Sequence, residues 1–404
     1  MARKVCVVVT ARPSYSRLKT VLQALRDRGD TQLQLVVAAS ALLERYGNVA
    51  EVIEREGFEI TARVYSVLEG ETPTAMAKTT GLGLLEMGTV LDNLRPDVVV
   101  TMADRYETLA TAVAASYMNF PLAHIQGGEV TGSIDEKVRH AVTKLADLHF
   151  VATEAAARRV IQMGEDPATV FCTGCPSIDL AAELVDSPGL EFDPFERYGG
   201  VGSRPDISQG YLVVLQHPVT TEYESARWQI TETLAAVHEI GMATLWFWPN
   251  VDAGSDGVST GIRAFRESVD PRHIHFFKNM MPGDFLRLLK HARCLVGNSS
   301  VGIRESGFLG VPVVNVGSRQ ADRERGVNVL DVLHSRHAIG EAVARQVRHG
   351  PYPRDELYGD AHSGARIAGL LAGVPLRCSK RWVEPQSPDR PAGSISLTGH
   401  GRAA

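Results

Sequence analysis

Apolar residues in this chain fall in short unbroken runs, with helical patterns between them. The runs Val5–Thr10, Leu33–Ala38, Asp97–Thr101, Leu122–Ile125, Leu148–Ala152 and Val170–Thr173 show little polar alternation. Such runs predict strands buried on both faces. Amphipathic stretches such as Tyr15–Arg28 and Thr153–Met163 separate them. This repetition implies right-handed crossovers and a parallel sheet. The pattern pauses between Asp186 and Gly210, where Pro, Gly, Asp and Ser collect. A second series follows: Tyr211–Leu215, Ala243–Trp248, His273–Phe277, Cys294–Val296 and Val311–Val316, with helical stretches at Glu222–Ile240 and Pro282–Ala292. The predicted fold class is α/β, as two doubly wound Rossmann-like domains facing across a cleft. Residues 1–185 form the first domain, 186–210 a linker and 211–350 the second domain. Residues 351–374 carry a helix near Ala361–Leu371 that packs back on the first domain. The Pro-, Ser-, Gly- and Arg-rich residues 375–404 are expected to form a flexible tail.

Composition narrows the function. The chain has 404 residues, more than one hydrophobic core usually serves. A net charge of -5 argues against a nucleic-acid binder, and no apolar run is long enough to cross a membrane. The N-terminal apolar run lacks a small-residue cleavage site and reads as a strand. Five cysteines, an odd number, suggest a reducing cytoplasm. Cys172 and Cys175 form a single C-x-x-C with no second pair to complete a tetrahedral metal site. His273 and His275 have no third ligand in view, so no metal is expected.

Polar residues concentrate where the predicted strands end, which is where open α/β sheets bind ligands. The densest stretch is HIQGGEVTGSIDEKVRH, from His124 to His140. It holds Gln126, Glu129, Asp135 and Arg139, and Asp104–Arg105 ends the preceding strand. Asp104, Glu129 and Asp135 are acid/base candidates, because burial and mutual proximity raise carboxyl pKa values. For any one of them taken singly, a helix cap or a surface ion pair is the better reading. The first strand–helix loop has no G-x-G-x-x-G. It offers Arg12, which suits a phosphate or a simple surface cap. Gly297-Asn298-Ser299-Ser300 ends a strand before a helical stretch, Val301 to Gly310, whose start can bind a diphosphate. Glu305 lies about one turn on, in reach of ribose hydroxyls. His217 ends the second domain's first strand and faces the cleft, placed to contact a phosphate or protonate a leaving group.

Taken in order, seven segments resemble the UDP-N-acetylglucosamine 2-epimerase family, most closely its hydrolysing branch. They are ARPSYSRL at Ala11, ADRYETLATA at Ala103, HIQGGEVTGSIDEKVRHAVTKLAD at His124, TGCPSID at Thr173, LQHPVTTE at Leu215, WPNVDAGS at Trp248 and GNSSVGIRESGFLGVPVVNVGSRQADRERGVNVL at Gly297. The resemblance implies a GT-B-like fold with the nucleotide held mainly by the second domain. It implies UDP-sugar contacts from Arg12, Ser16, Arg105, His217, Asn250, Ser299, Ser300, Glu305 and Arg319, with Asn279, Met280 and Phe285 near the uracil. It also implies catalytic roles for Asp104 and Asp135, with Arg139 beside them. Classical hydrolysing members carry Glu where this chain has Gln126, and an amide neither takes nor gives a proton here. Gln126 is therefore expected to orient the sugar, with Glu129 assisting the two aspartates.

The resemblance further implies an elimination. The C2–H of a nucleotide sugar is not acidic, so the C1–O bond to UDP breaks as a carboxylate removes the C2 proton. That gives 2-acetamidoglucal and UDP. Water then adds to give free N-acetylmannosamine, or UDP adds back in the non-hydrolysing branch. Neither route requires a cofactor. A homodimer or tetramer is the implied assembly. A nucleotide-sugar-binding protein without catalysis is the competing expectation, motivated by Gln126.

Overall fold

The computed structural model describes residues 2–44, 48–68, 72–131, 134–249 and 254–384. The first sheet comprises β1 (Arg3–Val9), β2 (Thr31–Ala38), β3 (Ala62–Val64), β4 (Val98–Met102), β5 (Leu122–Ile125), β6 (Leu148–Val151) and β7 (Val170–Cys172). Its order is β3-β2-β1-β4-β5-β6-β7, and every pairing is parallel. The second comprises β8 (Val201–Gly202), β9 (Leu212–Leu215), β10 (Thr244–Phe247), β11 (Ile274–Phe277), β12 (Cys294–Gly297), β13 (Val313–Val316) and β14 (Val329–Val332). Its order is β14-β13-β12-β9-β10-β11-β8, parallel except for β8. Val5, Val7 and Val9 face one core cluster while Cys6 and Val8 face another. Burial on both faces is why these strands lack polar alternation.

The strand order reverses at β1/β4 in the first sheet and at β9/β12 in the second. Chains leave the two neighbouring strands in opposite directions at such a point, and a crevice opens at their carboxyl ends. Arg12 and Asp104 follow β1 and β4, while His217 and Ser299 follow β9 and β12.

Several local features differ from the sequence expectations. β3 and β14 are additional edge strands. The 186–210 segment contains a helix, Pro194–Tyr198, and the antiparallel β8. β8 lies beside β11, where His275 takes the carbonyls of Ser203 and Gly199, each at 2.9 Å. The helix Ser363–Gly373 packs on the helix Arg12–Arg26 and contributes Ile367, Ala368 and Leu371 to the first-domain core. Arg3 ties it down through the carbonyls of Leu371 and Val374. Residues 375–384, the start of the expected flexible tail, lie against the first domain. Lys380 pairs there with the buried Glu165, and the Lys144 ammonium sits over the Trp382 ring at 5.2 Å. These contacts, together with Val383 N–H donating to the Gly164 carbonyl at 3.1 Å, hold in place a segment whose average composition reads as disordered. The remaining residues, 385–404, lie outside the described residues.

Candidate active site

A cavity of about 890 Å³ opens between the carboxyl ends of the two sheets. The first domain lines it with Arg12, Ser16, Arg17, Asp104, Arg105 and Asp135. The second domain lines it with His217, Asn279, Met280, Phe285, Ser299, Ser300, Glu305 and Arg319. A smaller recess of about 40 Å³ shares Arg17, Asp104, Asp135, Ser300 and Arg319 with it, and reaches Gln126, Glu129 and Arg139. Those last three do not border the main cavity. Asn250 falls outside the described residues.

Two left-handed turns set the acidic side. Ala103 has φ 61° and Gln126 φ 66°, an uncommon conformation for residues with a Cβ. Each is locked by the neighbouring strand. Ala103 N–H donates to the Ile125 carbonyl and Gln126 N–H to the Phe150 carbonyl, both at 2.8 Å. The buried His124 completes the frame, its Nε2 2.8 Å from the Ala103 carbonyl and its Nδ1 3.1 Å from Thr143 Oγ1. Burial pushes the His124 pKa down to about 3, so the ring is neutral. Gly128, at φ +73°, places its missing Cβ 2.3 Å from the Ala156 carbonyl oxygen, so only glycine lets this loop close.

The carboxylates differ in their partners. Asp104 forms an ion pair with the buried Arg139, which also donates to the Glu129 carbonyl at 2.6 Å. Glu129 is bound by Arg323 and, at 3.3 Å, by Arg304. Both guanidiniums come from the second domain, so Glu129 sits at the domain contact, off the main cavity but on the smaller recess that Asp104 and Asp135 also border. Asp135 lies in the first turn of the helix Ile134–Leu145 and borders both cavities. Arg105 is held by Glu107 at 3.1 Å.

The anion side is built differently from a single helix start. The helical stretch expected over Val301–Gly310 breaks at Arg304 (φ -99°, ψ -75°) into Ser300–Ile303 and Glu305–Leu309. One turn of helix carries little macrodipole, so the positive potential comes mainly from side chains. Arg17 donates to Ser300 Oγ at 3.1 Å and Arg304 does so at 2.8 Å. Ser299 caps the short helix by accepting from Val301 N–H. His217 is fixed through its backbone: its N–H donates to Asn298 Oδ1 at 2.7 Å, and Asn298 Nδ2 donates back to its carbonyl at 2.8 Å. Arg319 and Gln320 both donate to the Asn298 carbonyl. Arg12 crosses the cleft to donate to the Met280 carbonyl, and burial lowers its pKa to about 10. Phe285 stands edge-on to Phe247 with centroids 5.0 Å apart.

Arg17, Arg304, Arg323 and His124 were not among the sequence candidates. Arg304 follows Ser300 by four residues, a spacing that puts both on one helical face, and Arg17 lies within the first motif. The pairing of Arg323 with Glu129 had no local signal.

Two Rossmann-like domains sharing a cleft that is lined by Arg12, Arg17, Arg105, His217 and Arg319 together with Asp104 and Asp135 define a GT-B-like protein shaped for an anionic ligand. The chain belongs to the UDP-N-acetylglucosamine 2-epimerase family, whose model matches residues 23–372. It is 34% identical over 376 residues to the UDP-N,N'-diacetylbacillosamine 2-epimerase (hydrolyzing) of Legionella pneumophila, covering 93% of this chain and 97% of that one. It is 29% identical to the UDP-N-acetylglucosamine 2-epimerase of Neisseria meningitidis, covering 95% and 99%. Its fold matches the crystal structure of a UDP-GlcNAc 2-epimerase from Neisseria meningitidis bound to UDP-GlcNAc, with a TM-score of 0.76 at 16% identity over 91% of this chain and 99% of that one.

Proposed function

We propose that the protein is a UDP-N-acetylglucosamine 2-epimerase of the hydrolysing type, converting its nucleotide sugar and water into N-acetylmannosamine and UDP. The observation that carries this reading is the shared cavity. Asp104 and Asp135 border it from one domain, and His217, Ser299 and Ser300 from the other. A diphosphate on the second domain then presents its sugar to the two aspartates. As a carboxylate takes the C2 proton, the C1–O bond breaks and its electron pair leaves on the diphosphate. Cationic groups fixed beforehand stabilise that charge without reorganising. His217 is positioned to protonate the departing phosphate. Hydroxide from water joins C1 and a proton returns to the opposite face of C2. Asp104 and Asp135 divide the proton removal and return, and Glu129, tied to Arg304 and Arg323, borders the recess beside them. No step calls for a cofactor. The hydrolysing outcome is supported by the Legionella relative.

One feature favours a second substrate. Val67, Leu68, Ala75 and Met76 give the cavity an apolar flank beside Tyr106, suited to the extra acetamido group of a diacetylated amino sugar. That is the sugar in the name of the Legionella relative.

Incubating the full chain with UDP-N-acetylglucosamine, and separately with UDP-N,N'-diacetylbacillosamine, in deuterated water tests these readings by NMR. Free mannose-configured sugar deuterated at C2 is the expected product. A deuterated UDP-sugar mixture means the non-hydrolysing reaction instead. Binding without turnover of either sugar means a nucleotide-sugar-binding protein and sinks the enzyme reading.

A further inference from the structure

The charges around Gln126 do not balance. Arg17 is half-buried on the cavity wall, and its guanidinium donates to Ser300 Oγ at 3.1 Å and to Gln126 Oε1 at 3.4 Å. Among the described residues no carboxylate lies within ion-pair distance of it. Arg304 reaches the same amide oxygen at 3.5 Å, but it has carboxylates of its own, Glu129 at 3.3 Å and Glu305 at 3.9 Å. The orientation of the amide follows from these partners: reversed, its NH2 group would face two guanidiniums. That NH2 group instead points at Cys175 Sγ. Burial and the neighbouring Arg304 disfavour the charge on Arg17, and the more distant Glu305 offsets them only in part. A cation held in this way is stabilised by an incoming anion.

We propose that Gln126 reserves Arg17 for the leaving diphosphate. An amide accepts the guanidinium's hydrogen bond without neutralising it, whereas a carboxylate at this position would form an ion pair and compete with the ligand. Gln126 is thus a positioning residue, and Arg17 is the group that meets the charge developing on the diphosphate as the C1–O bond breaks. The inference rests on the nucleotide-sugar reading above and adds a role for the one residue that departs from the family's acid/base pattern.

Calorimetric titration of the full chain with UDP, inorganic pyrophosphate and uridine tests it, at low and high salt, for wild type, Gln126→Glu and Arg17→Met. Thermal unfolding checks that each variant is folded. Both variants are expected to bind UDP and pyrophosphate at least about tenfold more weakly, with a shallower salt dependence and unchanged uridine binding. Combining the two substitutions is expected to cost little more than either alone, because both remove the same cation. UDP and pyrophosphate binding by Gln126→Glu within twofold of wild type overturns the proposal, as does an equal loss of uridine binding. Should wild type bind pyrophosphate but not UDP, the nucleotide reading fails while the anion site stands or falls on the pyrophosphate arm.

Discussion

Asp104 and Arg139 form an ion pair on the first-domain side of the cleft, each reaching it from a different strand's end. Asp104 comes from the turn after β4, and Arg139 from the helix after β5. The pair fixes where a negative charge stands against the sugar, and it does so with a guanidinium that is 1% exposed.

Removing either partner should therefore have different effects. Arg139→Met leaves the half-buried Asp104 carboxylate unpaired and is expected to lower stability by about 1–2 kcal/mol, read by urea unfolding. Asp104→Asn is expected to abolish turnover while UDP affinity stays within about threefold of wild type, because the diphosphate side is untouched. Equal loss of turnover and UDP binding would assign Asp104 a structural role.

His124 predicts an acid limb in stability. Its pKa is about 3 in the folded protein against an ordinary 6.5. The neutral ring's contribution is therefore complete above about pH 6.5 and is lost as the pH falls towards 3. Urea unfolding between pH 6 and 4 should show a slope smaller by about 1.4 kcal/mol per pH unit, one proton, in His124→Asn than in wild type. An unchanged slope would mean that the ring is not held neutral.

Glu165 anchors the segment 375–384 through Lys380, while Lys144 and His149 complete its partners. Burial pushes its pKa up, but these partners outweigh it and hold the pKa at about 2, below the ordinary 4.5, so its contribution is present above pH 4.5 and lost as the pH falls towards 2. Glu165→Gln is expected to cost about 1–2 kcal/mol by removing the buried carboxylate that Lys144, Lys380 and His149 share. Limited proteolysis should then cut within 375–384 faster than in wild type.

Gly297 brings the end of β12 against β9. At φ +137°, an added Cβ would lie 2.2 Å from the Leu215 carbonyl oxygen. Gly297→Ala is expected to destabilise the protein by more than about 1 kcal/mol and to weaken UDP binding, since Ser299 and His217 both follow this contact. Paired measurements of urea unfolding and UDP titration check this.

The alternation of strands and helices was legible because strands buried on both faces must be apolar throughout, as in Val5–Val9 and Val98–Met102. Edge strands such as β3 and β14 escaped notice because they are short and partly exposed. The anchored residues 375–384 escaped for another reason: a few long-range contacts, chiefly at Lys380 and Trp382, order a stretch whose average composition reads as disordered. Asp104, Asp135, His217 and Ser299 stood out because polar residues at strand ends are exceptional against the runs before them. Arg17, Arg304 and Arg323 did not, because an arginine on a helix or loop looks the same in sequence whether it meets water or a buried carboxylate.

What the chain's order of residues determined alone was the architecture and the strand ends at which chemistry gathers, since hydrophobic periodicity and glycine placement are local properties. Tertiary structure decided how those ends combine: Glu129 tied to two second-domain arginines, and Gln126 set against Arg17 without opposing its charge. Charge compensation depends on distances of a few ångströms between groups far apart in the chain, so it exists only once the two domains are in contact.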